Sequence, residues 1–254
     1  MFKKLSAMLA LVMSLFAGAA MASTVVLEGS DATSLHGDVT YTTQLFSYLK
    51  SDSYNATLPV FVLGTASLPA PAGTVSGATL PGTLFGVYSA VYVQSPGGCC
   101  NERNVSISDQ TAIAAFVAAG GSVAIQDYEG GLATLLGFDA PQIEIGGFGA
   151  GTAGGPSCFD TEVFLPSALS KGFTQPGILG CWGHQAYDMD FFGPLGFVSL
   201  VSSGPQFALL GSGVWSSFLA LGGELGGGGT VPEPSSLLLF SVALLGLVGV
   251  RRRR

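Results

Sequence analysis

Between Ser108 and Gln126 the chain spells out a complete helix–turn–strand unit, and this unit restricts the fold more than any other feature. Ser108 stands where an N-cap belongs, and Asp109 falls in the first turn, where it complements the helix dipole. Ile113, Phe116 and Val117 form one apolar stripe, and Gly120 sits where a C-terminal glycine ends a helix. Ser122 to Gln126 then reads as a strand. Similar pieces flank it. Thr24 to Glu28 is a short apolar run closed by Gly29, and Tyr41 to Lys50 places Leu45, Tyr48 and Leu49 at helical spacing. Val60 to Leu63 and Tyr88 to Gln94 read as further strands, separated by a turn-rich stretch from Thr65 to Pro81. A short helix is expected around Leu132 to Leu136, late strands at Phe197 to Val201 and Phe207 to Leu210, and a closing helix over Val214 to Leu221. Strand and helix alternating over short connections predict an α/β fold, a single domain with a mostly parallel sheet flanked by helices, over residues 23–221.

The charge of that domain excludes one class of partner. Residues 23–230 hold three basic residues, Lys50, Arg103 and Lys171, against fifteen acids, a net charge of −12. Such a surface repels phosphate backbones and anionic lipid, so nucleic acid is ruled out as a partner. The 38 glycines follow no fixed period, which excludes a collagen-like chain.

The two ends specify a destination. Lys3 and Lys4, the apolar run Leu5 to Phe16 and the Ala20-Met21-Ala22 cleavage site make residues 1–22 a secretory signal peptide, with Ser23 the first mature residue. The Sec translocon and signal peptidase are the partners this implies. At the other end, residues 222–230 form a Gly-rich linker. Val231, Pro232, Glu233 and Pro234 follow, then the apolar run 235–250, then Arg251, Arg252, Arg253 and Arg254. Sixteen helical residues span roughly 24 Å, a short transmembrane helix whose arginines snorkel and keep that end in the cytoplasm.

Pro-Glu-Pro, a short apolar helix and a terminal arginine cluster, in this order over residues 231–254, resemble the PEP-CTERM sorting signal of bacterial exported proteins. The resemblance implies cutting near the Pro-Glu-Pro by an exosortase, transient anchoring in the inner membrane and release to the cell surface or beyond. It also implies a setting of exopolysaccharide and biofilm. A plain C-terminal membrane anchor is the alternative.

Cys99, Cys100, Cys158 and Cys181 travel with the chain into an oxidising compartment. Adjacent cysteines pair with each other only through a strained ring, so Cys99 and Cys100 are each expected to bridge to one of Cys158 and Cys181. Which joins which stays open. No CxxC spacing supports a zinc site.

Ligands in open parallel α/β sheets bind outside the carboxyl ends of the strands. That edge is expected to carry Asp31, His36 and Asp38 after the first strand, and Asp127 and Glu129 after the strand that follows the clear helix. Carboxylates with an imidazole suit a divalent cation or general acid–base work. His184, Asp188 and Asp190 form a second such group, in Trp182-Gly-His-Gln-Ala-Tyr-Asp-Met-Asp190. The plainer expectation is that these acids decorate solvated loops and cap turns. No cofactor is expected, and a divalent cation is the one ligand these groups suit.

The strand–loop–helix–strand unit from Tyr88 to Gln126, with Ser-Pro-Gly-Gly after its first strand and Phe116-Val-Ala-Ala-Gly-Gly before its second, resembles class I glutamine-amidotransferase-like domains. The resemblance implies a flavodoxin-like or glutamine-amidotransferase-like fold. It also places a nucleophilic cysteine on the turn where this chain has Asp127-Tyr128-Glu129, and a glutamate two residues beyond the catalytic histidine, where Ala186 follows His184 and Gln185. With neither present, glutaminase chemistry is not expected. The reading from sequence is an exported binding or structural module without catalysis, its alternative a secreted hydrolase or metal-dependent enzyme.

Overall fold

A computed structural model describes residues 23–29, 33, 39–64, 70–94, 107–126, 143–145, 164–174, 185–201, 215–216 and 218–221. All of them belong to one unit, Ala22–Val231. Both chain ends, with the proposed signal peptide, linker and helix 235–250, lie outside the described residues, as do the four cysteines. The helix expected near 132–136 and the strand expected at 207–210 lie outside them too.

Among the described residues the main sheet has seven strands. They are β1 (Val25–Glu28), β2 (Val60–Leu63), β3 (Val75–Gly77), β4 (Ala90–Val93), β5 (Ser122–Gln126), β8 (Val198–Ser199) and β10 (Phe218–Leu221), in the order β3-β2-β4-β5-β1-β10-β8. The first five are mutually parallel, while β10 and β8 run antiparallel beyond β1. A second, antiparallel sheet has the order β6-β7-β9, from β6 (Ile143–Ile145), β7 (Gln185–Asp188) and β9 (Trp215–Ser216). The mixed sheet agrees with an α/β domain. Its order departs from the flavodoxin-like 2-1-3-4-5 arrangement: β1 lies beyond β5, held there by a strand from the end of the domain.

That strand corrects the helix expected over Val214 to Leu221. Phe218-Leu-Ala-Leu221 is apolar throughout, and periodicity cannot tell such a short run from a buried helix. Here pairing decides it. Every residue of β10 faces one of β1, from Val25↔Leu221 to Glu28↔Phe218, which satisfies the backbone of a central strand buried at all four positions. The stretch read as turns also holds β3, a short edge strand.

Helix α1 (Val39–Ser51) buries Tyr41, Leu45, Tyr48 and Leu49, one stripe of a 3.6-residue repeat, and ends with Lys50 favourably placed against the dipole. Helix α2 (Ile107–Ala118) starts one residue before Ser108, so that serine lies within the first turn and is no cap. Gly120, at φ +94°, closes α2, and Gly121 lies under the Phe116 ring, which a Cβ there would meet at 2.3 Å. The described residues also include two single-turn helices, α3 (Pro166–Leu169) and α4 (Met189–Phe192).

Strand alternation divides the core in two. Val26, Val62, Tyr92 and Ala124 face α1, while Leu27, Phe61, Val91, Val93 and Ile125 face Ile113 and Phe116 of α2. The reason is topological. The β1–α1–β2 connection crosses the sheet one way and the β4–α2–β5 connection the other, and right-handed crossovers in opposite senses put their helices on opposite faces.

Candidate functional site

The C-terminal ends of β2, β4, β5 and β1 lie side by side, and on the α1 face they end in polar residues. Glu28 pairs in register with Gln126, Tyr92 shares their face, and Gln94 follows two residues beyond Tyr92. All four are fully buried. The Tyr92 hydroxyl donates to Glu28 Oε2 at 3.0 Å and also bonds the Thr33 hydroxyl. The Tyr92 ring is fixed by Phe46 of α1, with centroids 5.4 Å apart. Gln94 lies across Gly64, the residue after β2, where an added Cβ would come within 2.8 Å of the Gln94 Cβ. Glycine is therefore required for this approach.

This row is costly to the fold. Removing a carboxylate from water costs several kcal/mol even after relaxation, and only well-placed hydrogen bonds offset it. The row sits where parallel sheets present ligands, at the carboxyl edge.

The row was missed in the sequence because Glu28 and Gln126 each end an apolar run and read as strand termini. The available signal was alternation: with Val26 on one face, Glu28 must share it, inside the domain and not in the loop beyond. The loop residues singled out there, Asp31, His36 and Asp38 after β1 and Asp127 and Glu129 after β5, lie outside the described residues, as does His184. Their two segments do leave from neighbouring strand ends, since Glu28 and Gln126 are register partners.

Asp188 and Asp190 belong to the second sheet and its following helix. The Asp188 carboxylate accepts the backbone N–H of Asp190 at 2.9 Å and caps α4. Around this cap Tyr187 and Phe192 are buried edge to face at 5.6 Å. No three residues among His, Cys, Asp and Glu gather as a metal site among the described residues.

A different charged group marks the opposite edge of the sheet. Thr24, fully buried just before β1, donates its hydroxyl to Asp52 Oδ2 at 2.9 Å, and its N–H bonds Ser122 Oγ at 3.2 Å. Lys171 reaches Asp52 at 3.7 Å and lies over the Tyr48 ring, 5.5 Å from its centre. Burial, with the Asp52 carboxylate nearby, pushes the Tyr48 phenol well above its usual range, so it keeps its proton.

What the chain shares with known proteins lies at its end. Residues 230–254 match the PEP-CTERM protein-sorting motif. The PEP-CTERM motif indicates an exported protein sorted toward the cell surface, with an exosortase as its processing partner. No curated protein and no solved structure matches the chain, so the glutamine-amidotransferase-like resemblance of the body has no support from them. Among the described residues no helix is long and apolar enough to cross a membrane.

Proposed function

We propose that this is an exosortase-processed protein of the cell surface or extracellular matrix, its α/β body a non-catalytic binding or structural module associated with polysaccharide. The PEP-CTERM match at residues 230–254 carries the reading. The Gly-rich stretch before it supports the reading, because it separates a folded body from a disposable sorting end. Before processing, the helix 235–250 holds the protein in the inner membrane. Intact mass of the exported form is expected to begin at Ser23 and end near Pro232 to Pro234. Arg251 to Arg254 still attached to the bulk of that pool would refute exosortase processing. Digesting the matrix polysaccharide is expected to release the processed protein from cells, and full retention would refute the association.

Export also bears on the cysteines. Non-reducing peptide mapping is expected to find Cys99 and Cys100 each linked to one of Cys158 and Cys181, with no free thiol. Loss of one bridge is expected to cost about 2–5 kcal/mol. Four alkylatable thiols in the native protein would refute the bridges.

A second reading, a secreted hydrolase or metal-dependent enzyme, is favoured by one observation. Glu28 and Gln126 are buried at adjacent strand ends, from which the segments bearing Asp31, His36, Asp38, Asp127 and Glu129 depart. Metal analysis of the purified protein, then alanine at His36 and Asp127, separates the two. Stoichiometric metal lost on both substitutions supports the enzyme. Glutamine is not the substrate in either case, and no ammonia release is expected.

A further inference from the structure

The charged group at the start of β1 lies next to the terminus that removal of residues 1–22 would create. Thr24 is fully buried and Ser23 half-buried, so a chain cut before Ser23 begins at the edge of the fold itself. Cleavage of the Ala22–Ser23 bond consumes one water, leaving a carboxylate on the departing leader and an ammonium on Ser23. That nitrogen is one residue from Thr24, whose hydroxyl is already 2.9 Å from Asp52. The backbone dimensions put it within roughly 5–9 Å of the Asp52 carboxylate, close enough for a terminal residue to swing into contact.

We propose that Asp52 and the Tyr48 hydroxyl form a receptor for the Ser23 ammonium, so that removal of the leader completes the anchoring of β1. The proposal rests on cleavage before Ser23. An ammonium brings three donors. Asp52 offers its carboxylate, only 16 % exposed, and uses part of it for Thr24, Ser51 and Lys171. Tyr48 offers a buried oxygen beside Thr24, whose side chain is the hydrogen-bonding group that faces it. The other charges near this edge, among the described residues, are lysines. Lys171 reaches the same Asp52 Oδ2 that Thr24 bonds, and Lys50 lines a cavity of about 120 Å³ toward the 71–74 turn. In a body of net charge −12, one more cation beside a carboxylate is favourable. The uncleaved chain has a neutral amide there.

The test uses the exported protein as purified, with its α-amino group selectively acetylated at mildly acidic pH and the product checked by mass. Acetylation is expected to lower Tm by about 1–3 °C, as a partly exposed ion pair in a domain of this size would. In the Asp52→Asn variant it is expected to leave Tm unchanged. Equal shifts in both proteins, or none in either, would overturn the docking. If Asp52→Asn is not exported, the titration of the α-amine in the unsubstituted protein decides. A pKa above the ordinary ~7.7–8.0 is expected, and one at or below it overturns the proposal. A first residue other than Ser23 overturns the cleavage reading instead, which the mass reports separately.

Discussion

Replacing Phe173 with alanine is expected to lower the unfolding free energy by about 3–5 kcal/mol, the largest loss from any single side chain considered. Phe173 is 1 % exposed, although it lies in the turn after α3 and not on a strand or helix. Its ring meets Phe164 at 5.3 Å, Phe218 at 5.4 Å, Tyr48 at 5.9 Å and Tyr41 at 6.0 Å. One side chain therefore joins α1, the strand β10 and Phe164, two residues before α3, on a single face of the sheet. Truncation removes its buried area, leaves a cavity and breaks ring contacts worth ~0.5–1.5 kcal/mol each beyond area. In a domain of about 200 residues the loss corresponds to roughly 6–20 °C in Tm. Leu169→Ala, four residues away and 48 % exposed, serves as the control and should change stability by less than ~0.5 kcal/mol. A Phe173→Ala protein within ~1 kcal/mol of the original would show that this cluster does not hold the α1 face together.

How Phe173 came to be unreadable in the sequence is instructive. The parallel half of the sheet was legible because its units are local: apolar helix stripe, glycine stop, apolar strand. Val60 to Leu63 and Ser122 to Gln126 match the observed strands residue for residue. The antiparallel half depends on contacts across almost the whole domain, as in Val25↔Leu221, and no local pattern encodes them. Phe173 and the late strands belong to that half. The candidate site divides along the same line. Loop acids can be noticed from composition alone, whereas Glu28, Gln126 and Tyr92 form a row only once β1, β5 and β4 are known to be neighbours. The sorting end needed no fold at all, since its information is the order of three short segments.

The Glu28–Tyr92 pair gives the other large effect, and its sign in the double variant separates a strut from a site. Tyr92→Phe removes a donor from a buried carboxylate and is expected to cost about 1.5–3 kcal/mol. Glu28→Leu removes the carboxyl group but leaves the Tyr92 hydroxyl with Thr33 alone of these two partners, at a cost of about 1–3 kcal/mol. Because the two groups touch, the losses should not add. A double-mutant cycle in urea is expected to give a coupling of roughly 1–3 kcal/mol, and strict additivity would refute the bond. The stability of the double variant then carries the functional argument. Buried ion and hydrogen-bond groups replaced together by apolar ones of similar volume often leave a protein as stable or more so. A double variant as stable as the original means that the carboxylate costs the fold what its bonds return. Its contribution would then lie in what binds at the carboxyl edge, and the enzyme or ligand reading gains over the purely structural module. A double variant that remains several kcal/mol weaker makes the row a strut between the end of β1 and Thr33, and removes the observation that favours that second reading.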